Sequence, residues 1–320
     1  MKKVFVTGAN GLLGTNLINE LLLNGYRVKG LLRDKTKYQG PAHENLELTE
    51  GNLTDNLASA LMDCDYVVHV AAVTSQSLLK YSDYSVTNYD ATTHLFNLAV
   101  QCNIKKFIFV STVNTIGHGS RINPGSEENE IWAPFDSCFY AMSKLAAENY
   151  LLQNNHKTEV IIVNPSFMLG GYDSKPSSGK IILMFWKKSI IFYPPGGKNF
   201  VHVADVANGI ISSIERGVNG ERYILANENL SYREFIEKLN LQTKRNPAMI
   251  KIPGFVLTTF GYFGDVLRLF RVKTSLSSVN TKILCVNNFY SNRKSVSELK
   301  LNYQTTDTAI KDAIKYFINY

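Results

Sequence analysis

The chain has 320 residues, 45% of them hydrophobic and 19% charged, with a formal net charge of +7. This is a globular composition with room for one large or two smaller domains, and it excludes a disordered chain. Four scattered cysteines (Cys64, Cys102, Cys138, Cys285) form no C-x-x-C pair, which excludes a zinc knuckle and argues for reduced thiols rather than a disulfide framework.

Lys2 and Lys3 before Val4-Phe5-Val6 look like the start of a signal peptide. The apolar run then breaks at Thr7-Gly8-Ala9-Asn10-Gly11, and no cleavage site follows. A cytoplasmic protein is expected. Strands are predicted at 4–7, 27–32, 45–48, 66–70, 107–110 and 159–163. Amphipathic helices are predicted between most of them, at 12–23, 56–62, 86–100 and 140–152. Apolar strands alternating with crossover helices predict an α/β fold, a doubly wound parallel sheet of Rossmann type.

After Asn164-Pro165 the rhythm changes, and 165–200 is rich in Pro and Gly. A helix at 203–215, a Gly turn and a strand at 222–226 predict a return to the sheet. The segment 230–295 reads as mainly helical, and 308–318 as a last amphipathic helix. The expected division is a dinucleotide-binding domain over 1–164, rejoined by 200–228. A smaller, mostly helical substrate lobe takes 165–199 and 229–320, with the last helix packing back. No stretch reaches the roughly 18 apolar residues of a membrane helix. The nearest, 252–270, is broken by Pro253, Gly254, Gly261, Gly264, Asp265 and Arg268.

Between Lys238 and Lys294 ten basic residues face one acid, Asp265. Such an excess suits a solvated surface, an anionic substrate group or peripheral contact with an acidic membrane surface. No nucleic-acid motif accompanies it, so nucleic acid is not an expected partner.

The strongest signal is Thr7-Gly8-Ala9-Asn10-Gly11-Leu12-Leu13-Gly14. A strand enters, three glycines follow at three-residue spacing, and a helix leaves. Gly8 permits a tight turn, Gly11 lets backbone approach a pyrophosphate, and Gly14 lets the helix pack closely on the strand. The anion sits at the helix N-terminus. Thr7, Gly8, Asn10, Gly11, Leu12, Leu13 and Gly14 are therefore cofactor candidates. Arg33 and Asp34 close the second strand. A cation there suits the 2′-phosphate of NADP, an acid the ribose of NAD. Arg33 comes first and Lys35 and Lys37 follow, so NADP(H) is the preferred expectation and NAD(H) the alternative.

The chain resembles the extended short-chain dehydrogenase/reductases, within them the dihydroflavonol reductase-like proteins, relatives of 3β-hydroxysteroid dehydrogenases and sugar-nucleotide epimerases. Beside the glycine loop, the likeness includes Gly51-Asn52-Leu53-Thr54-Asp55, His69-Val70-Ala71-Ala72, Asn88, and Phe109-Val110-Ser111-Thr112. It continues with Tyr140-Ala141-Met142-Ser143-Lys144, Asn164-Pro165 and Phe200-Val201-His202-Val203-Ala204-Asp205. It implies that Asn52 and Leu53 lie at the adenine and that Ala71, Ala72 and Val73 line the cofactor's path. It further implies that Pro165 flanks the nicotinamide, that Asn88 is a helix-breaking structural or water-holding residue, and that the chain forms a homodimer through its helices at 86–100 and 140–152.

Tyr-x-x-x-Lys alone is weak, since in a chain with 17 tyrosines it should arise by chance about once. It occurs twice. Tyr140 and Lys144 open an amphipathic helix after a strand, so both fall on one face; Tyr290 and Lys294 have neither feature. Reducing a carbonyl leaves an alkoxide to be protonated, and a phenol can donate that proton. The resemblance implies that Lys144 also bonds the nicotinamide ribose. A hydroxyl at the strand end would hold the substrate oxygen. Aligned by the glycine that follows in the family's pattern, here Gly117, the resemblance implies that it belongs to Thr112, with Ser111 as second choice. No metal is expected.

Dehydratases of the family carry an acid pair after the active hydroxyl, where this chain has Val113 and Asn114. The predicted function is an NADP-dependent oxidoreductase that reduces a carbonyl of a small apolar molecule to an alcohol. The alternatives are a nucleotide-sugar epimerase with tightly bound NAD and a non-catalytic NADP-binding sensor. Phe167, Met168, Phe185, Trp186, Phe192, Tyr193 and the aromatic-rich segment 255–270 are candidates for an apolar pocket, against ordinary packing.

Overall fold

The computed structural model describes residues 1–75 and 77–319, apart from the side chain of Asn319. β1 (Lys3–Thr7) passes through the glycine loop into α1 (Leu12–Leu23). β2 (Arg27–Leu32), β3 (Leu46–Glu50), the single turn α2 (Ala58–Leu61) and β4 (Tyr66–His69) follow. α3 (Ser82–Ser85) runs through a π-helical turn at Val86–Asp90 into α4 (Ala91–Gln101), then come β5 (Lys106–Val110), α5 (Phe139–Gln153) and β6 (Glu159–Pro165). β7 (Phe167–Leu169), α6 (Lys180–Phe185), β8 (Ile190–Tyr193), β9 (Gly197–His202), α7 (Val203–Arg216) and β10 (Arg222–Leu225) lie beyond. The chain finishes with β11 (Glu228–Ser231), α8 (Tyr232–Thr243), β12 (Ala248–Lys251), α9 (Gly254–Leu269), α10 (Ser278–Cys285), β13 (Asn287–Asn288), α11 (Arg293–Glu298) and α12 (Thr306–Asn319).

Seven parallel strands form the central sheet in the order β10-β6-β5-β4-β1-β2-β3. Alternate residues of each strand feed opposite cores. Val4, Val6, Ile108 and Ile161 pack under α1 and α7. Phe5, Val67, Phe107, Phe109 and Ile162 pack under α2, α4 and α5. Strand order reverses between β1 and β4. That switch point opens a crevice at the strands' carboxyl ends, where ligands of such sheets bind.

Several boundaries differ from the sequence expectation. The third strand is shifted, to Leu46–Glu50. The helix expected at 56–62 is one turn, because the Asn56 side chain accepts the Ala58 N–H at 3.1 Å and starts it late. The expected return over 200–228 is carried by α7 and β10 alone, since β9 and β11 pair with each other in a second sheet with β7 and β13. The mostly helical lobe therefore holds strands, including the pair β8–β12. These run for two to six residues, too few to show a period against Pro and Gly. Phe200 and Phe235 stack at 4.4 Å in this lobe's core. α12 buries Ile310 and Ala313 in it, while Leu299 and Leu301 reach back to the core under the central sheet.

Candidate active site

The crevice is a cleft of about 560 Å³ lined by the glycine loop, the end of β2 and the chain after β4. Gly8 has φ +70°, and a Cβ on it would lie 3.0 Å from the Ala71 nitrogen. A Cβ on Gly14 would lie 2.1 Å from the Gly8 carbonyl oxygen, so only glycine lets α1 start this close to β1. Asn10, Gly11, Leu12 and Leu13 line the cleft with Gly8. Gly11 is the N-cap of α1, leaving that helix's first N–H groups facing the crevice. This bare backbone cradle fits a dinucleotide's pyrophosphate.

Thr7 and Gly14 shape the cleft without lining it. The Thr7 hydroxyl oxygen accepts the N–H groups of Val70 and Ala71, each at 3.1 Å, and lies 2.8 Å from His69 Nδ1. Its own hydrogen is then directed to Nδ1. His69 Nε2–H in turn donates to Thr92 Oγ1 at 2.9 Å, and Thr92 donates to the Asn88 carbonyl. Burial depresses His69 to about 3, so it stays neutral, in the tautomer this network requires.

Arg33 lines the cleft, exposed and without an ion-pair partner among the described residues. Asp34 does not line it. Its carboxylate caps the next turn, pairs with Lys37 at 2.7 Å and accepts from Thr36, and these contacts hold it at about 2. Asn52, Leu53, Ala71, Ala72 and Val73 also line the cleft. Asp173, Ser174, Lys175 and Ser177 form part of its wall, a contribution the sequence hid in an aperiodic stretch. The buried Asp173 carboxylate fixes that loop by accepting the N–H groups of Ser177 and Gly179.

Asn88, in the π-helical turn, joins this cleft to α5. Its side chain accepts from Val73 N–H at 2.8 Å and donates to the Val73 carbonyl and to Ser143 Oγ, each at 3.0 Å. Ser143 sits between Tyr140 and Lys144, which share a face of α5. Thr112 lies two residues beyond β5, at the start of the next turn and beside Tyr140. Burial pushes the Tyr140 phenol up, and the Thr112 hydroxyl pulls the other way. Lys144 is almost wholly buried, donates to the Val110 carbonyl at 2.6 Å and lies 3.8 Å from the Phe109 ring centroid. Burial lowers its ammonium to about 7, against a raising influence of Glu148. The structure thus brings Thr112, Tyr140 and Lys144 together. Pro165 ends β6 away from the cleft's lining. Tyr290 and Lys294 are apart from this group, Lys294 being paired with Glu221.

Ser111 is buried and donates to Glu148 Oε1. The same oxygen accepts from Thr115 Oγ1 at 2.7 Å and Asn164 Nδ2 at 3.0 Å. Asn164 Nδ2 also donates to the Thr112 carbonyl at 3.1 Å, which anchors the strand end. Arg222 Nε lies 3.1 Å from Glu148 Oε2, an ion-pair contact without an aligned hydrogen bond. Glu148 follows Lys144 by one helical turn, and that spacing was the available signal for it.

Lys198 was also missed. It rises from β9, 4.9 Å from the Phe167 ring centroid and near Cys138, and no acid pairs with it among the described residues. Burial lowers its ammonium to about 8. Of the other aromatic candidates, Phe185 and Tyr193 belong to the second lobe's core and Phe192 is exposed. Phe255, Phe260, Tyr262, Phe263 and Phe270 are exposed as well rather than lining a pocket, because α9 turns its small residues inward.

The depression of Lys144 has a stability consequence. Between about pH 7 and its ordinary 10.5 the unfolded chain binds this proton and the folded chain does not, so its contribution to stability rises with pH. Lys144→Met should flatten the rise between about pH 7 and 9, read as urea midpoints. Parallel pH dependence in the two proteins would count against the depression.

A dinucleotide cradle, a strand-end hydroxyl and a tyrosine–lysine helix face define an NAD(P)-dependent enzyme acting on hydroxyl or carbonyl groups. Residues 4–226 match the NAD dependent epimerase/dehydratase family, and the chain belongs to it. A Synechocystis sp. protein described as "Putative dihydroflavonol 4-reductase" is 28% identical, covering 99% of this chain and 94% of that one. The sterol-4-alpha-carboxylate 3-dehydrogenase (decarboxylating) of Dictyostelium discoideum is 27% identical over 95% and 96% of the two chains. The crystal structure of gox2253 superposes with a TM-score of 0.86 at 28% identity, covering 100% of this chain and 98% of that one.

Proposed function

We propose that this protein is an NADPH-dependent reductase that converts a carbonyl of a small, largely apolar molecule to an alcohol. The observation that carries this is the grouping of Thr112, Tyr140 and Lys144 at the end of β5, next to the dinucleotide cleft. Bound NADPH supplies the hydride to the carbonyl carbon. Tyr140 donates its phenolic proton to the carbonyl oxygen, which balances the reduction, and its raised proton affinity keeps it in the donating form. Thr112 holds the same oxygen by its hydroxyl, and the Lys144 ammonium stabilises the phenolate left behind. Ser111 is already spent on Glu148, which favours Thr112 for this role.

Lys198, a cation against Phe167 and Cys138, suits a substrate that carries a carboxylate or another strongly polar group on an apolar body. Two relatives bear sterol names, which fits such a body. NADPH consumption, followed by absorbance, is expected with a pool of apolar ketones and aldehydes. Isomerised sugar nucleotide without net oxidation would favour an epimerase instead.

Arg33 supports the NADPH preference, because it is free to meet a 2′-phosphate while Asp34 is engaged elsewhere. Arg33→Ala should weaken NADPH binding roughly ten- to a hundredfold, the worth of one charge-assisted contact, and change NADH binding little. Fluorescence titration measures both. Tighter binding of NADH than NADPH by the wild type would sink the assignment.

We also propose that copies pair through α4 and α5. The outer side of α5 has two shallow grooves, lined by Tyr81, Phe139, Met142, Ala146, Asn149 and Tyr150 among others. Light scattering should give a dimer, and Ala146→Arg should yield monomers. A wild-type monomer at micromolar concentration would rule this out.

A further inference from the structure

Helix α9 is built inside out. Its small residues Gly261 and Gly264 face the protein. A Cβ on Gly261 would lie 2.1 Å from Thr281 Oγ1, and one on Gly264 2.3 Å from the Leu276 carbonyl oxygen. This face therefore rests directly on α10 and the segment before it. The large residues face water. Phe255, Tyr262, Phe263, Val266, Leu269 and Phe270 are each between 48% and 82% exposed. Their spacing of i, i+7, i+8, i+11, i+14 and i+15 puts them in one stripe. β12 leads through Ile252-Pro253 into this helix, and the outer face of β8–β12 exposes Ile190, Phe192 and Ile250. Exposed apolar surface of this extent marks a site that something covers.

Charge indicates what covers it. Lys251, Arg271 and Lys273 stand exposed at the two ends of α9. Lys282 reaches to 5.5 Å from the Tyr262 ring centroid, at the stripe itself. The one acid of the region, Asp265, is turned inward, with its carboxylate accepting the Ser278 N–H at 3.2 Å. An aromatic and aliphatic stripe with a cationic margin, whose own helix turns its one acid inward, is the composition that seats at the boundary between acyl chains and anionic headgroups.

We propose that α9 and the outer face of β8–β12 dock this protein on the surface of an anionic lipid bilayer. The contact is peripheral: among the described residues no helix is long and apolar enough to cross a membrane. α10, on which α9 rests, packs Val279 and Ile283 against the group that holds Cys138 and Tyr140. Docking brings the lipid within one helix layer of Tyr140, a short path for an apolar carbonyl compound dissolved there. That last consequence rests on the proposed reductase activity; the docking does not.

The test sediments the full chain with phosphatidylcholine vesicles, with and without about 30 mol% phosphatidylglycerol. Pelleting is expected with the anionic vesicles only, falling at least about tenfold when NaCl is raised from about 0.05 M to about 0.5 M. A variant with Phe263→Asp and Leu269→Asp should lose binding by a similar factor. Both side chains are exposed, so far-UV circular dichroism and NADPH titration should match the wild type. Arg271→Glu with Lys273→Glu should weaken binding as well. No pelleting, or equal pelleting with neutral and anionic vesicles, overturns the proposal. So does a dimer in vesicle-free solution that the Phe263→Asp, Leu269→Asp variant dissolves, because a second copy then covers the stripe. No turnover is read, so the result is independent of the reductase assignment.

Discussion

Replacing Tyr140 by phenylalanine should lower NADPH-dependent turnover by about 10²–10⁴-fold, the usual worth of a positioned general acid. NADPH affinity should stay within about twofold, since a single neutral hydroxyl contributes little net binding beside the phosphates' charge-assisted contacts. The ring keeps its packing, so the fold should survive. Single-turnover absorbance and fluorescence titration separate the two quantities. A Tyr140→Phe protein that still reduces substrate at the wild-type rate would remove Tyr140 from the chemistry. Thr112→Val offers an internal comparison. It removes the partner hydroxyl, keeps the strand end, and should act on kcat more than on cofactor binding.

Glu148→Ala should cost about 3 kcal/mol of stability, the low end for breaking a buried ion pair, because the Arg222 side chain keeps some contact with water. Glu148 is fully buried, and its loss leaves Ser111, Thr115 and Asn164 without their shared acceptor. Urea unfolding measures the loss. Glu148→Gln, which retains one acceptor oxygen, should recover part of it. A change under about 1 kcal/mol for the alanine variant would show that the network reorganises around the gap.

The central sheet was legible because its strands are buried on both faces and read as apolar runs, and because its helices carry a 3.6-residue period. The glycine loop was legible because part of its need for glycine is local: a Cβ on Gly14 would meet the Gly8 carbonyl just upstream, although Gly8 itself meets Ala71 from a distant strand end. Tyr140 and Lys144 could be paired by helical spacing, and the amphipathic helix they open after a strand separated them from Tyr290 and Lys294. The second lobe was not legible. β7, β8 and β9 lie where Pro and Gly break every period, and their pairing joins segments as distant as Gly197 and Asn287.

The site divides in the same way. Arg33 follows from its position at a strand end, whereas Asn52, Ala71 and Thr112 came from the resemblance to a family. That Asp34 is occupied by Lys37, that Glu148 collects three donors, and that Lys198 stands beside Cys138 depends on the packing of separate elements. α9 shows the limit most clearly. The sequence carries its aromatic residues and its basic surroundings, but periodicity marks a stripe without saying which side of the helix meets the protein. Sequence by itself determined the sheet, the dinucleotide loop and the tyrosine–lysine face, because each is written in residues a few positions apart. Only the tertiary structure decided which charges are spent, which are free and which apolar surface is left to solvent, because those depend on contacts between residues far apart in the chain.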